Sequence, residues 1–511
     1  MTPKQSPLFE PAIWAGSHFK ILDETLLPWK LEYLRANEVS EAVDAVRQMK
    51  TRAFGQVLTF LYAAALEARA HRERPPEFIR ERLKSVAADF TRARPTFNFQ
   101  GLLERLLETA GEMPAKETAL GIEQKIHDYV ASIRSAREER TRRAAELLPD
   151  RCRLLTHCNI SGEIVAVGQW CEVMGKKLRI IATETRPYLQ GTRLTAWESA
   201  QAGLEVEVIP DCAIAQVMAR KEVDVVLVGA DRCAQNGDII NKVGTYSLAL
   251  MARHFDIPFY ALVQPPGALA SGADVLIEER PVAELLSFQG IPLVGTEGGK
   301  EIEGRYPAFD VTPGSLISAL ISFDGIDTPQ SFRHKHEKTA VATPRDHATK
   351  ENEKYLLVYG VPDLPAYSAI GDELNTRQCR AVLVPEMRPE LWGARVVTRE
   401  LLRRDIPTTL ISDNMMGFFF GRKEIQRLYL YCSDLGSKGA VSICGSLLAS
   451  LLARAHGVPV EILSCSGPTK EKSPDRDVAT LMGRRVIPDG VGIYPVQKEL
   501  LPRSLLNGGV G

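Results

Sequence analysis

A thiol and a carboxylate each follow an apolar run of the sequence, at positions that a parallel sheet would expose. Cys158 lies in the motif THCN directly after RCRLL, and Asp231 lies in GADR directly after DVVLV. In an open α/β sheet, the crevice that binds small ligands lies outside the carboxyl ends of the strands. A thiol and a carboxylate on neighbouring strands could exchange protons with one ligand, so the pair predicts general acid and base chemistry.

Each of these residues, taken alone, has a simpler interpretation. An isolated cysteine is most often a buried structural thiol, and an isolated aspartate commonly caps a helix or pairs with a neighbour such as Arg232. His157 is expected to orient the loop rather than to act as a base, and Asn241-Lys242 could form a solvated turn. The order of the motifs along the chain, rather than any one of them, favours a ligand site.

The elements that position these residues are predicted from the pattern of apolar runs. Between residues 149 and 325, short runs such as LRIIAT, DVVLVG and FYALV alternate with helical segments, which predicts an α/β fold with a Rossmann-like parallel sheet. Residues 1–148 have helical periodicity and are expected to form a helical N-terminal domain. Residues 326–353 are polar and charged, and they are expected to form a linker.

The β/α pattern resumes after this linker and repeats the earlier one. The stretch Glu184–Asp211 aligns without gaps on Glu386–Asp413, with nine of 28 positions identical. Farther along, the same register, shifted by one residue, aligns Gly244 with Gly445. We therefore interpret residues 354–511 as a diverged second copy of the Rossmann-like domain, and residues 149–325 as the first copy.

The repeat alignment also predicts what the second copy has lost. It places Gly360 at the position of Cys158, Cys432 at that of Asp231, and Ser442-Ile443 at that of Asn241-Lys242. The second copy is thus expected to keep the fold and to lack the reaction.

Composition excludes several classes of protein. The 511 residues carry 63 Lys and Arg against 64 Asp and Glu, so the net charge gives no reason to bind nucleic acid or an anionic membrane. The nine cysteines include no CxxC pair, which is typical of reduced thiols in a cytosol. The N-terminus resembles no signal peptide, and no run of 18 apolar residues occurs, so a cytoplasmic location without a membrane partner is expected.

Longer motifs carry a resemblance to a known family. The sequence has no GxGxxG, GxxxxGK[ST], HExxH or GxSxG motif. The blocks THCN, ETRPYLQGTRLTAWE, VLVGADRCAQNGDIINKVGTYSLAL, IEERP and YPAFDVTP resemble, in this order, methylthioribose-1-phosphate isomerases. With ILDETLLPWKLEYL, DAVRQMKTRA and ARPT, the resemblance covers roughly residues 14–325, the length of a complete member. The superfamily includes ribose-1,5-bisphosphate isomerases and the regulatory α, β and δ subunits of eukaryotic initiation factor 2B.

The resemblance implies an aldose to ketose isomerisation of a 5-substituted ribose 1-phosphate in methionine salvage, without a metal or nucleotide cofactor. It implies that Cys158 and Asp231 form the catalytic pair, and it leaves open whether hydrogen moves as a proton or as a hydride. The substrate contacts that it implies are Arg52, Arg94, Gln190, Asn241 and Lys242. Guanidinium, ammonium and amide groups suit a phosphorylated sugar because they donate hydrogen bonds to its oxygens.

Two loops depart from the isomerases. The isomerases read RGAPAIG where this chain has Arg52-Ala53-Phe54-Gly55, and Ile160-Ser161-Gly162-Glu163 replaces a Thr-Gly pair after THCN. Glu163 is expected to cap or charge the next helix rather than to act in catalysis. The altered loops leave ribose 1,5-bisphosphate and 5-deoxyribose 1-phosphate open as substrates. They also leave open a regulatory protein that binds a sugar phosphate or nucleotide, like the initiation factor subunits.

The second copy raises a question about assembly. Family members pair through their sheet domains as dimers, so a fused copy could occupy that surface and form an intramolecular pseudo-dimer with one active site. The alternative is a decorative second domain joined by a flexible linker. In that case the first copies of two chains could still form a homodimer.

Overall fold

Two compact units make up the chain in a computed structural model, which describes residues 5–95, 97–108, 119–294, 302–336, 354–437, 439–466 and 475–506. The first unit comprises Met1–Leu147, Asn159–Gly175 and Gln201–Leu204. The second unit comprises Leu148–Cys158, Lys176–Ala200 and Glu205–Gly511, and thus holds most of the first copy and all of the second. Residues 337–353 of the predicted linker lie outside the described residues.

The first unit is largely helical, with its own apolar core. Its helices are α1 (Val39–Arg47), α2 (Phe54–Ala70), α3 (Pro76–Ala93), α4 (Phe99–Glu108), α5 (Ala119–Leu147) and α6 (Glu163–Val173), and its strands are β1 (Ala12–Trp14), β2 (Phe19–Leu22) and β3 (Tyr33–Ala36). Helix α2 is buried along nearly its whole length, and α1, α3 and α5 pack against it. The three strands form an antiparallel sheet that the helical periodicity did not reveal.

Most of the first copy belongs to the second unit. Its strands there are β4 (Cys152–Thr156), β5 (Leu178–Thr183), β6 (Glu205–Ile209), β7 (Val225–Gly229), β8 (Arg232–Cys233), β9 (Ile239–Lys242), β10 (Phe259–Leu262), β11 (Ser287–Phe288), β12 (Ile291–Pro292), β13 (Glu303–Gly304), β14 (Phe309–Thr312) and β15 (Ala319–Ile321). Its helices there are α7 (Trp197–Gln201), α8 (Ile214–Ala219), α9 (Thr245–His254) and α10 (Ala283–Leu286).

The start of the predicted linker is structured. Residues 326–336 form strand β16 (Ile326–Asp327) and helix α11 (Pro329–His336). Strand β16 pairs antiparallel with β15, and Phe332 of α11 is fully buried. The polar composition of this segment hid one apolar anchor, because a single buried ring leaves no periodic pattern in the sequence.

The second copy repeats these elements. Its strands are β17 (Tyr355–Tyr359), β18 (Ala381–Pro385), β19 (Thr408–Ile411), β20 (Ile425–Cys432), β21 (Asp434–Gly436), β22 (Gly439–Ser442), β23 (Val460–Ser464), β24 (Thr480–Leu481), β25 (Arg484–Arg485), β26 (Gly492–Ile493) and β27 (Glu499–Pro502). Its helices are α12 (Ala366–Thr376), α13 (Thr398–Arg403), α14 (Met416–Gly421), α15 (Ser446–Ala455) and α16 (Arg503–Leu506).

The two copies share one strand order. The first sheet runs β16-β15-β10-β7-β4-β5-β6-β26, and the second, read in the same direction, runs β23-β20-β17-β18-β19-β13. The strands β10-β7-β4-β5-β6 of the first sheet therefore correspond in order to β23-β20-β17-β18-β19 of the second. These strands are parallel, and runs such as VVLVG in β7 are buried at every residue, as expected for strands covered on both faces. The α/β class and the Rossmann-like parallel sheet are thereby confirmed.

Each copy also lends one strand to the sheet of the other. Strand β26 of the second copy pairs with β6, where Gly492 and Ile493 face Glu207 and Val208. Strand β13 of the first copy pairs with β19, where Glu303 and Gly304 face Thr409 and Leu410. The repeat alignment equates residues 207–208 with 409–410, so the exchange is reciprocal and the second unit has an internal pseudo-twofold axis.

Buried ion pairs follow the same symmetry. Arg186 of the first copy donates to Glu386 of the second at 2.8 Å, and Arg388 donates to Glu184 at 3.0 Å. All four side chains are at most 2% exposed. One continuous apolar core runs through both copies.

Among the described residues, no helix combines the length and apolar character that a membrane span requires.

Candidate active site

The two predicted catalytic residues follow neighbouring strands of the first sheet. Cys158 comes two residues after the end of β4, Asp231 comes two residues after the end of β7, and Leu155 of β4 pairs with Val226 of β7. The strand order reverses between β4 and β7, and such a switch point is where open α/β sheets bind ligands. Cys158 is half-buried and Asp231 is exposed, so solvent reaches this edge of the second unit.

Cys158 has an unusual backbone conformation. Its φ is 65°, in the left-handed region that glycine adopts easily and other residues adopt at a cost. Thr185 Oγ1 accepts the Cys158 N–H at 2.9 Å, and Thr195 Oγ1 donates to the Cys158 carbonyl at 2.6 Å. Two side chains thus hold the thiol residue in a conformation that its own side chain disfavours, a pattern typical of functional sites.

Strand β9 presents two of the predicted substrate contacts, and both are buried. Asn241 Nδ2 donates to Thr245 Oγ1 at 3.0 Å, and the Thr245 hydroxyl donates to the Lys242 carbonyl at 2.7 Å. The Lys242 ammonium lies 4.9 Å from the centre of the Phe309 ring, as in a cation–π contact. These contacts fix the turn into helix α9, so the side chains of β9 have defined positions.

Gln190, another predicted substrate contact, directly precedes the π-helical turn Gly191–Ala196 that follows β5. Its side chain is 5% exposed, and its Oε1 has no hydrogen-bond partner among the described residues. The next residue is Gly191, and no larger residue fits there because a Cβ would lie 1.7 Å from the Thr183 carbonyl oxygen. A buried amide oxygen without a partner costs stability unless a ligand hydroxyl supplies the missing donor, which fits a sugar-binding role.

The first unit holds the remaining two predicted contacts, Arg52 and Arg94. Arg52 precedes helix α2, and its backbone N–H donates to Glu24 Oε1 at 2.9 Å. Burial raises the pKa of Glu24 to about 7, although the hydrogen bonds from Arg52 and Thr51 favour the charged form. Arg94 ends helix α3 and is half-buried. Each of these two arginines lies next to the end of a helix of this unit.

The two loops that depart from the isomerases meet at one arginine of the first unit. The guanidinium of Arg137 lies 3.9 Å from the centre of the Phe54 ring, and its Nε donates to Glu163 Oε1 at 2.9 Å. Burial raises the pKa of Glu163, but the charges of Arg140 and Arg137 outweigh burial and lower it. Glu163 is therefore a buried ion-pair partner at the start of α6 rather than a solvent-exposed helix charge.

Ala53, which replaces a glycine of the isomerase motif, has a strained backbone conformation. Its φ is 41°, so an alanine occupies the left-handed region at the point where the isomerase motif has glycine. A non-glycine residue in such a conformation is strained by about 1–3 kcal/mol. Phe54, the next residue, packs its ring against the Arg137 guanidinium.

His157 and Asp310 are buried, and each forms a hydrogen bond with the backbone of the turn that precedes helix α9. His157 is 2% exposed, and both ring nitrogens are bonded, to Thr183 Oγ1 at 2.7 Å and to the Val243 carbonyl at 2.9 Å. These bonds agree with the expectation that His157 orients the loop. Asp310 accepts the Gly244 N–H at 2.7 Å and so caps helix α9, and burial raises its pKa to about 7.

Sequence reasoning did not single out Asp310, Thr185 or Thr195 as part of the site. The only available signal was that Asp310 and both threonines lie inside the motif blocks YPAFDVTP and ETRPYLQGTRLTAWE. Their contacts join residues 27 to 66 positions apart, which no local pattern reveals.

Comparison with known proteins assigns the chain to a family. The sequence model of the Initiation factor 2 subunit family matches residues 52–329 and 345–470. These ranges include most of the chain, so this protein belongs to that family. The second matched range falls on the second copy and partly supports the interpretation of a domain duplication.

Its relatives include enzymes. A methylthioribose-1-phosphate isomerase of Desulforudis audaxviator is 40% identical over an alignment of 343 residues, which covers 63% of this chain and 94% of the relative. The crystal structure of 5-methylthioribose 1-phosphate isomerase from Pyrococcus horikoshii matches with a TM-score of 0.56 and 30% identity, over 64% of this chain and 94% of that one. The translation initiation factor eIF-2B subunit delta of A. fulgidus matches with a TM-score of 0.53 and 32% identity, over 62% and 96% of the two chains.

Proposed function

We propose that this protein is an aldose–ketose isomerase that converts 5-methylthioribose 1-phosphate to 5-methylthioribulose 1-phosphate in methionine salvage. The observation that carries the proposal is the strained conformation of Cys158 at the switch point of the first sheet, one strand away from Asp231. A chain that only needed the fold would gain stability by placing glycine there, as the second copy does at Gly360. The isomerase relatives support the same reaction.

The chemistry assigns two tasks to the catalytic pair. A phosphate on the anomeric carbon blocks ordinary hemiacetal opening, so one group must protonate the ring oxygen or move a proton. The other group must handle the hydrogen or hydroxyl of C2. Cys158 and Asp231 perform these two tasks in our proposal, and either residue can take either one.

The substrate contacts divide by chemical type. Arg52, Arg94 and Lys242 supply positive charge and several donors for the phosphate. Gln190 and Asn241 supply amides for the sugar hydroxyls, and the buried Gln190 oxygen is the acceptor that a hydroxyl would satisfy. This assignment predicts that changes to the amides mainly raise KM for the sugar phosphate by weakening contacts to its hydroxyls. Changes to the cations mainly weaken the contacts to its phosphate group.

Proton NMR with methylthioribose 1-phosphate tests the proposal. The wild-type protein should form the ketose, and Cys158→Ala and Asp231→Asn should each reduce the rate at least about 1,000-fold while keeping the wild-type unfolding temperature within a few degrees. Cys432→Ala is the matched control, at the position of the second copy that the repeat alignment equates with Asp231, and it should keep turnover. Turnover that survives in Cys158→Ala would contradict the assignment.

The two loops that depart from the isomerases leave the substituent at C5 of the substrate to be tested. A panel of ribose 1,5-bisphosphate, 5-deoxyribose 1-phosphate and methylthioribose 1-phosphate ranks the substrates by kcat/KM. The highest value is expected for methylthioribose 1-phosphate. A higher value for another member would keep the isomerase and change the substrate.

A regulatory role is the second candidate function, because the delta subunit of an initiation factor is similar in fold and sequence over the same region. Saturable binding of the sugar phosphate without turnover would favour it. The retention of both Cys158 and Asp231 favours the enzyme, since a protein that only binds has no chemical need for them.

We further propose that the protein acts in the cytoplasm as a monomer whose two copies take the place of two subunits. The reciprocal strands and the crossed pairs Arg186–Glu386 and Arg388–Glu184 support this, because they occupy the facing surfaces of the copies within one chain. Light scattering should give a mass near 56.5 kDa. A mass of twice that value would contradict the proposal.

A further inference from the structure

Asn414 of the second copy lies against the backbone of the first copy. Its Nδ2 donates to the Arg186 carbonyl at 2.9 Å and to the Val243 carbonyl at 3.3 Å, and its side chain is 3% exposed. The Ser412 hydroxyl donates to Asn414 Oδ1 at 2.6 Å. This bond sets the orientation of the amide, so both N–H groups point towards the first copy.

The Val243 carbonyl also accepts a bond from the residue next to Cys158. His157 Nε2 lies 2.9 Å from that oxygen, and because a carbonyl can only accept, Nε2 carries the proton. Burial lowers the pKa of His157 to about 4, so the ring is neutral at pH 7 and its Nδ1 is an acceptor. The Thr183 hydroxyl is the donor to Nδ1, at 2.7 Å.

The bonds continue from Thr183 to the thiol residue. Thr185 Oγ1 lies 3.2 Å from Thr183 Oγ1 and accepts the Cys158 N–H at 2.9 Å. With the Thr183 hydroxyl donating to His157, the Thr185 hydroxyl donates to Thr183, whose Oγ1 and carbonyl oxygen lie 3.2 and 3.3 Å away. The series therefore runs in one direction, from the Cys158 N–H through both threonines and His157 to the Val243 carbonyl.

The pseudo-symmetric position is occupied differently. The repeat alignment equates Asn414 with Cys212 and Ser412 with Pro210. Cys212 Sγ lies 3.3 Å from the Arg388 carbonyl, the counterpart of the Arg186 carbonyl, but a thiol is a weak donor. Proline has no hydroxyl that could orient a neighbouring amide. Of the two equivalent loops, only that of the second copy has the amide and its orienting hydroxyl, and it contacts the Arg186 and Val243 carbonyls of the first copy.

We propose that the second copy serves catalysis in the first, with Asn414 as a positioning residue that holds the Val243 carbonyl and, through His157, the backbone of Cys158. This inference rests on the proposed isomerase function. It gives residues 354–511 a task that needs no chemistry of their own. It also explains the asymmetry, because each copy's loop serves the other copy, and only the first copy carries the catalytic pair.

The test grafts the residue of one copy onto the other. Asn414→Cys places the first copy's residue in the second, and Cys212→Ala is the matched control on the other side of the axis. Asn414→Cys should lower kcat about 10- to 100-fold with KM changed less than about threefold, because small displacements of a reacting group cost rate rather than affinity. Cys212→Ala should keep kcat within about twofold of wild type.

A second readout does not depend on turnover. In protein labelled with ¹⁵N-histidine, the His157 ring signals are assigned by their loss in His157→Gln. Asn414→Cys should shift these signals, and Cys212→Ala should leave them in place. A shift of the His157 signals without a loss of kcat would show that the contact is structural and does not position the thiol.

Each outcome has one meaning. An unchanged kcat in Asn414→Cys, or an equal loss of kcat in Cys212→Ala, would overturn the positioning role. If Asn414→Cys fails to fold, Ser412→Ala replaces it, since this variant only frees the amide to rotate, and it should lower kcat severalfold. If the wild-type protein shows no turnover, the isomerase proposal fails, and the His157 shifts alone decide whether Asn414 positions the loop.

Discussion

The two sheet copies keep the same strand order and differ at the carboxyl ends of their strands. His157 of the first copy corresponds to Tyr359 of the second, and each donates to the equivalent carbonyl, of Val243 at 2.9 Å and of Cys444 at 2.9 Å. The bond that supports the fold is thus conserved with a different donor. Divergence has changed the side chain and kept its structural task.

The polar groups around the thiol have a different fate. The alignment places Pro385 at the position of Thr183, Met387 at that of Thr185 and Val397 at that of Thr195. None of these three side chains can donate or accept a conventional hydrogen bond, and Met387 and Val397 are buried. Once the cysteine is absent, apolar packing is the more stable choice for such positions. The polar contacts that only the first copy has therefore serve the reaction, and the contacts that both copies share serve the sheet.

The largest expected effect comes from giving the first copy the residue of the second. Cys158→Gly should abolish turnover, by more than about 1,000-fold, while the protein stays folded, because glycine suits the φ of 65°. Progress curves with methylthioribose 1-phosphate and an unfolding scan measure the two properties. The reciprocal change, Gly360→Cys, should create no activity. It should destabilise the protein, because a Cβ at Gly360 would lie 2.4 Å from the Tyr431 carbonyl oxygen.

The second prediction concerns the contacts in which the copies are equal. Arg388→Met leaves Glu184 as an unpaired buried charge, and Arg186→Met does the same to Glu386. Each change should lower the free energy of unfolding by about 3–5 kcal/mol. Denaturant titration measures both values. Because the pairs are related by the pseudo-twofold axis, a large difference between the two losses would show that the copies do not share the interface equally.

The third prediction uses pH. Burial raises the pKa of Asp310 to about 7 and that of Glu499 to about 7, and each accepts a backbone N–H at the start of the equivalent helix, α9 or α15. A carboxyl with a raised pKa in the folded protein favours folding when protonated, so this stability is lost as pH rises from about 4 through 7. Each group should contribute a loss on the order of 2 kcal/mol between pH 5 and pH 8.

Amide variants isolate these groups. Asp310→Asn and Glu499→Gln keep an acceptor oxygen and cannot ionise, so each should remove its share of the pH dependence in unfolding measurements. The two shares should be similar, since both copies keep this helix cap. An unchanged pH profile in both variants would mean that neither carboxyl titrates in the folded protein.

Local patterns predicted the fold more completely than the site. The buried run of β7 and the position of Asp231 after it are readable from sequence, because parallel strands are apolar throughout and ligands bind beyond their ends. The exchange of β13 and β26 could not be predicted, since each is two residues long and pairs with a strand about 100 or more positions away. The role of Asn414 also needed the structure, because the repeat alignment shows equivalent positions and not which copy a side chain faces.

The smallest expected effect is a difference in stability between two variants that both lack the thiol of Cys158. Cys158→Ala and Cys158→Gly both remove the sulfur, and only the glycine variant also relieves the left-handed φ of 65°. The glycine variant should be more stable than the alanine variant by about 1 kcal/mol, which is the typical cost of a side chain in this region. Denaturant midpoints of the two variants measure the difference. Equal midpoints would mean that Thr185 and Thr195 hold the loop at no energetic cost, and the comparison with Gly360 would then reflect only the loss of chemistry.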